Sequence, residues 1–473
     1  MTLLNHFNFK TLDDGDFLIT NDYGRALFLS PEEFQRFLRQ DFNGAEALYQ
    51  RLHRAHFVLE PMEIYADSMT DELREMKQYL CCGTALHIFV VTNQCNLRCI
   101  YCQAQDHQHL ECGSMSPETG KRAIDLALQS PNPSLAFEFQ GGEPLLAFPV
   151  IRDMVCYAEA QSGKKKIDFT VVSNLSLLTD EMADFFQEHR VTVCTSLDGP
   201  AAIHEKNRRA PAVGMSSYEK MCAGLQKLHE RGIFPGAVET TTRYTLAHAR
   251  ELIAEYVRQG MQTIFLRPLT PLGFARSDWQ AVGYTVDEFL TFYRRALDEI
   301  FRLNREGVLL REQHAVFFLR KILQGRADTY MELRSPCGAG FGQLAYYYNG
   351  DVYTCDEGRM VAEAGDPAFR LGNVYRDTYA SLMRSDTCRA ASAASVLESL
   401  PGCCDCAYQP YCGVCPVVQY ASSGNIFPRE ANTYRCQIYK GILDTLFAIL
   451  KHGPEEEREI LKAWVRDDHE DNQ

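Results

Sequence analysis

Three cysteines, Cys95, Cys99 and Cys102, constrain this chain most. They lie in the run Thr92-Asn93-Gln94-Cys95-Asn96-Leu97-Arg98-Cys99-Ile100-Tyr101-Cys102, directly after an apolar stretch at 86–91. The spacing is C-x3-C-x2-C. Soft thiolate sulfur suits iron–sulfur clusters, and three thiolates so close in sequence can wrap one face of a four-iron cube. Such a cube takes four ligands, so three leave one iron open to an outside chelator, as catalytic metals keep an open position. The competing reading is a structural zinc site, which would want a fourth ligand and paired C-x2-C spacing.

The chain has 473 residues, long enough for two or three domains. It holds 18 cysteines, and its start carries no basic segment followed by an apolar one that would read as an export signal. The expected compartment is therefore the reducing cytoplasm, where clustered cysteines bind metal more often than they pair. No run of about 18 apolar residues is present, so no membrane span is expected. The net charge of −14 argues against nucleic acid as a partner. Cysteines outside the dense groups (Cys81, Cys82, Cys112, Cys156, Cys194, Cys222, Cys388) read mostly as buried apolar filler.

The pattern divides the chain into five parts. Residues 1–80 read as a separate, small winged-helix-like α+β module. Two short strands flank the turn Asn21-Asp22-Tyr23-Gly24, and Ser30-Pro31-Glu32-Glu33 opens a helix with serine at the N-cap, proline at N1 and glutamate at N3. From 84 to 270, candidate strands at 86–91, 135–140, 167–173, 191–197, 237–243 and 263–267 alternate with amphipathic helices. Six β/α units predict an α/β fold, a parallel sheet curled into a partial (β/α)6 barrel, with ligands at the carboxyl ends of its strands. Residues 271–334 read as a helical connector. Residues 335–440 are cysteine-rich with little periodicity, and 441–473 as a helix with a charged tail that frays.

The chemistry-bearing motifs fall at the predicted strand ends. Gln140-Gly141-Gly142-Glu143-Pro144 follows the second strand; paired glycines admit close approach to a ligand, and the Glu143 carboxylate can accept bonds from an ammonium group. Ser173-Asn174 ends the third strand and Ser196 the fourth, and short polar side chains there can bond hydroxyls or a carboxylate. Arg208 can pair with a carboxylate. With the cysteine triplet upstream, this set resembles the radical S-adenosylmethionine (SAM) enzymes. The resemblance implies that the open iron chelates SAM, that reductive cleavage gives a deoxyadenosyl radical, and that Gln140, Gly141, Gly142, Glu143, Ser173, Asn174, Ser196 and Arg208 contact SAM.

A second constellation follows: Cys337, Cys355, then Cys403-x2-Cys406-x5-Cys412-x2-Cys415, and Cys436. It resembles the SPASM domain of radical SAM peptide maturases, which carries two auxiliary 4Fe–4S clusters. By residue order the resemblance assigns Cys337, Cys355 and Cys415 to the first, and Cys403, Cys406, Cys412 and Cys436 to the second. Two features depart from the family: the last gap of the clustered four is two residues rather than three, and 338–343 holds no further cysteine. The first auxiliary site would thus have an open iron or a non-cysteine ligand, and Cys404 could substitute in either site. Paired zinc sites are the alternative. Asp356, next to Cys355, matches an aspartate proposed as general base in anaerobic sulfatase-maturating relatives; a solvated loop aspartate or a cluster ligand is the plainer reading.

Among radical SAM maturases, the N-terminal module, the element Leu29-Ser30-Pro31-Glu32-Glu33-Phe34 and the run 406–416 are most similar to the His-Xaa-Ser system. The resemblance implies a precursor peptide or small protein as substrate, a side chain crosslinked or oxidised after hydrogen abstraction, and an electron donor such as flavodoxin or ferredoxin. Alternatives are an anaerobic sulfatase-maturating enzyme, which would start closer to the triplet, a small-molecule enzyme, or a non-catalytic iron–sulfur or zinc protein. The last would need no Gly141-Gly142-Glu143-Pro144.

Overall fold

A computed structural model describes residues 3–60, 67–104, 112–212, 214–325, 330–427 and 433–466. Its centre is one ten-stranded sheet. In chain order the strands are β1 (Leu86–Thr92), β2 (Ser134–Gly141), β3 (Lys166–Val172), β4 (Thr192–Ser196), β5 (Gly236–Thr240), β6 (Thr263–Arg267), β7 (Arg311–Glu312), β8 (Gln343–Tyr347), β9 (Asp351–Tyr353) and β10 (Arg370–Asn373). Their spatial order is β7-β6-β5-β4-β3-β2-β1-β8-β9-β10. Strands β1 to β7 pair in parallel, and the six expected barrel strands are all present.

The period-2 pattern explains the faces. On β2, Leu135, Phe137 and Phe139 point to the buried helix layer, while Ala136, Glu138 and Gln140 are half-buried on the other face. Phe89 packs against Phe137 and Phe139 with ring centroids 5.1 and 5.6 Å apart, and Phe137 meets Phe169 at 6.1 Å. Each such aromatic contact adds about 0.5–1.5 kcal/mol beyond the area it buries.

The cysteine-rich segment departs from its expected lack of regular structure. β8 pairs in parallel with β1, from Gln343 beside Leu86 to Tyr347 beside Val90, and β9 and β10 continue the sheet antiparallel. Tyr346 stacks on Phe89 at 5.0 Å. The segment is thus continuous with the barrel wall and not merely tethered to it.

The N-terminal module is a three-stranded antiparallel meander (Asn8–Thr11, Phe17–Thr20, Ala26–Leu29) followed by helices Pro31–Arg39 and Glu46–Arg54. Ser30 accepts a bond from Glu33 N–H while the Glu33 side chain accepts from Ser30 N–H, completing a capping box. The module has its own core around Phe34, Phe37 and Leu52. It is not separate, however: Lys451 on the helix Tyr434–His452 pairs with Asp14 and Asp16 at 2.6 and 2.7 Å.

Two further expectations change. The connector is helical at Val286–Arg305 and Gln313–Gln324 but also contributes β7. The tail is ordered through its helix Glu455–Ala463, because Leu461, Trp464 and Val465 are buried; residues 467–473 lie outside the described part. Trp464 stacks on Phe301 at 5.7 Å and donates its indole N–H to Asn304 Oδ1 at 2.9 Å. Of the supposed filler cysteines only Cys388 is buried; Cys81, Cys82, Cys112 and Cys156 are exposed. Among the described residues no helix is long and apolar enough to cross a membrane. Trp464→Ala removes a buried aromatic side chain worth about 3–5 kcal/mol and should lower the apparent melting midpoint by roughly 5 °C or more in a thermal scan.

Candidate active site and auxiliary cluster sites

The cysteine loop hangs from the end of β2. Gly142 N–H donates to Thr92 O at 2.9 Å and Glu143 N–H to Gln94 O at 2.8 Å. A Cβ on Gly141 would sit 2.3 Å from Thr92 O, and one on Gly142 2.2 Å from Gln94 O. The glycines therefore admit the protein's own backbone. That gives the pair a steric reason.

Glu143 is almost fully buried. Its Oε1 accepts from Leu145 N–H at 3.1 Å and from Ser173 Oγ at 2.7 Å, and its Oε2 accepts from Asn174 N–H at 2.8 Å. Burial raises its pKa to about 6, against the opposing pull of these three bonds. It thereby fastens the end of β3 to the end of β2. Asn174 in turn donates to Asn96 Oδ1 at 3.0 Å, and Asn96 to Ser176 Oγ at 2.7 Å. Asn96 and Ser176 are positioning residues that sequence reasoning missed; the N-x-R-C context offered no sign that Asn96 reaches the turn after β3, 80 residues away. Gln140 donates to Glu138, and Ser196 is half-buried at the end of β4.

Arg208 is brought to the loop by a short strand, in which it lies opposite Cys99. Its Nε and Nη2 donate to Asp198 at 3.0 and 3.3 Å, and its Nη1 lies 3.9 Å from Cys99 Sγ. Tyr101 Oη donates to Asp198 Oδ2 at 2.6 Å, and the guanidinium lies over the Tyr101 ring at 5.3 Å. Two of the Arg208 donor groups hold a fully buried aspartate, and a third faces a cysteine sulfur. The neighbouring guanidinium favours a Cys99 thiolate, while burial disfavours it.

The motif cysteines lie in three regions of the fold. Cys95, Cys99 and Cys102 share one loop and interact through their charges. Cys337, Cys355 and Cys415 fall in one buried cluster with Ala339, Phe369 and Val417. Cys403, Cys406, Cys412 and Cys436 line a cavity of about 300 Å³, and Cys415 borders the same cavity. Burial pushes Cys95 and Cys412 up to about 12 and Cys403 to about 11, so binding iron there must displace protons. Among the described residues no three cysteine, histidine or acidic side chains converge as one metal ion would need. A cube makes no such demand, since each ligand takes its own corner, and a cysteine-lined cavity fits it.

Asp356 opens the helix Asp356–Glu363, where Arg359 Nε donates to its Oδ1 at 3.2 Å. Its charge reaches Glu138 on the inner face of β2 and, with burial as the larger cause, raises the pKa of Glu138. The hydrogen bond from Gln140 and, to a lesser extent, Arg267 at the end of β6 offset that rise.

Residues 89–259 match the radical SAM superfamily, and residues 337–416 match SPASM, an iron–sulfur cluster-binding domain. The serine-type anaerobic sulfatase-maturating enzyme of Bacteroides thetaiotaomicron is 24% identical over 372 residues, 73% of this chain and 85% of that one. The solved structure of native anSMEcpe with bound AdoMet and Kp18Cys peptide superposes with a TM-score of 0.64 at 19% identity, covering 80% of this chain and 99% of that one. Streptococcus suis SuiB bound to its precursor peptide SuiA superposes with a TM-score of 0.54 at 12% identity, covering 91% and 99%. The fold is theirs, and the cofactors are 4Fe–4S clusters and SAM.

Gly142→Ala should force the cysteine loop off β2. Deoxyadenosine formation is expected to fall about tenfold or more, which corresponds to only about 1.4 kcal/mol, with iron lost from the Cys95–Cys102 loop in the same preparation.

Proposed function

We propose that this chain is a radical SAM enzyme which, with its SPASM domain, modifies a side chain of a ribosomally synthesised peptide or small protein. The observation that carries the reading is the pairing of β8 with β1, which joins the segment carrying Cys355 and Asp356 to the wall of the barrel. The N-terminal module supports it, as do the peptides bound in the structures of anSMEcpe and SuiB. The finer assignment to the His-Xaa-Ser system rests on the resemblance of 29–34 and 406–416 alone.

When bound, the clusters and SAM supply the radical chemistry that removes a hydrogen atom and an acceptor for the surplus electron. Cys95, Cys99 and Cys102 hold the SAM-binding cluster. Cys337, Cys355 and Cys415 hold one auxiliary cluster, and Cys403, Cys406, Cys412 and Cys436 the other. Glu143, through Ser173 and Asn174, fixes the strand ends that face SAM. Asp356, oriented by Arg359, accepts the proton released as the substrate radical is oxidised or closes a crosslink. Flavodoxin or ferredoxin in the cytoplasm would supply the reducing electron.

A second reading is formylglycine formation, favoured by the similarity to a serine-type anaerobic sulfatase-maturating enzyme. Incubation with a sulfatase-motif peptide separates the two: formylglycine by mass would support it, and no modification would leave the precursor-peptide reading in place.

After anaerobic reconstitution the protein should form deoxyadenosine from SAM, followed by chromatography. Cys99→Ala should abolish that product while keeping the auxiliary iron. Full activity in this variant would overturn the assignment.

A further inference from the structure

The loop between Cys403 and Cys412 carries three of the four thiols assigned to the second auxiliary cluster, and it forms neither strand nor long helix. Its internal bonds are turns only: Cys406 N–H to Cys403 O, Gln409 N–H to Cys406 O and Cys412 N–H to Tyr408 O, at 2.9–3.1 Å. A loop of this kind has little core of its own to hold it in one shape.

The N-terminal module holds it from outside. Asn8 Nδ2 donates to Cys404 O at 2.9 Å and to Cys406 O at 3.3 Å. Thr20 Oγ1 donates to Ala407 O at 2.7 Å, and both donor groups are buried. In return Tyr411 Oη donates to Gly24 O at 3.0 Å. Lys10 Nζ reaches Tyr408 Oη at 3.2 Å, and both side chains bond Asp444. The rings of Phe28 from the module and of Tyr408 and Tyr411 from the loop all pack on Phe447, with centroids 6.2, 6.0 and 5.6 Å away.

We propose that the N-terminal module is a clamp for the second auxiliary cluster: Asn8, Thr20 and the Phe28–Phe447 contact fix the backbone that presents Cys403, Cys406 and Cys412. These are positioning residues, acting through the loop. Buried side-chain bonds to backbone carbonyls fix a loop more rigidly than solvent-facing ones, because a carbonyl deprived of its donor inside the protein is costly to leave unpaired. The module thereby joins whatever it recognises to the electron-accepting end of the enzyme. The inference rests on the assignment of Cys403, Cys406, Cys412 and Cys436 as one cluster site.

The test is iron release to a chelator from the anaerobically reconstituted full chain, with total iron counted on the same sample. Three variants are compared with the unaltered protein: Asn8→Ala/Thr20→Val; Tyr411→Phe, which removes the separate Tyr411–Gly24 bond from the loop side; and Arg36→Ala, whose half-exposed side chain bonds Glu32 and Asn43 inside the module. The clamp predicts that the first two release about four irons per chain, one cube's worth, at least tenfold faster than the unaltered protein. The remaining iron and deoxyadenosine formation stay unchanged, and Arg36→Ala behaves as the unaltered protein does. Unchanged release in both clamp variants, or uniformly faster release of all iron, would overturn the clamp. An unaltered protein that loads only enough iron for two cubes or fewer would overturn the underlying cluster assignment and the clamp with it.

Discussion

Everything at the SAM end of the barrel depends on two backbone hydrogen bonds, Gly142 N–H to Thr92 O and Glu143 N–H to Gln94 O. They continue the β1–β2 ladder past the strand ends into the loop that carries Cys95. Because the loop is held by main chain, its position does not depend on side-chain rotamers, and only glycine fits where carbonyl oxygens lie 2.2–2.3 Å from the would-be Cβ atoms. Glu143 then turns the corner and ties the end of β3 to this point through Ser173 and Asn174. Asn96, Asn174 and Ser176 close the ring on the other side.

The same logic of shared backbone joins the two halves of the chain. β8 belongs by sequence to the cysteine-rich segment and by hydrogen bonding to the barrel. The first auxiliary group is therefore built on the wall that also supports the cysteine loop. Asn93 donates to Tyr347 Oη at 3.0 Å, and Tyr347 bonds Glu363 at the far end of the helix that starts after Cys355. A polar chain of three side chains thus spans from beside Cys95 to the auxiliary segment.

Much of this was legible in the sequence. The barrel strands announce themselves by apolar alternation between helices, and both cysteine constellations by spacing. β8 was not legible: Gln343–Tyr347 is buried on both faces, so it shows no alternation, and its partner β1 lies more than 250 residues upstream. β7 was missed because two residues, Arg311–Glu312, give no periodicity at all. The glycine pair stands out in the sequence, but its close approach to the carbonyls of Thr92 and Gln94 came only from the fold, since no local pattern marks a glycine that admits the chain's own backbone. Arg208 was singled out in the sequence as a carboxylate partner, while its partner Asp198 and the Tyr101 hydroxyl came only from the fold, which brings residues 101, 198 and 208 to one point.

The central claim is that the cysteines form three separate iron–sulfur sites on one continuous sheet and its adjoining loops. Anomalous X-ray scattering at the iron edge, from anaerobically grown crystals of the reconstituted protein, tests it most directly. The account predicts three iron centres: one at Cys95, Cys99 and Cys102, one at Cys337, Cys355 and Cys415, and one at Cys403, Cys406, Cys412 and Cys436. A zinc edge at these cysteines, or no metal at the Cys95–Cys102 loop, would contradict it.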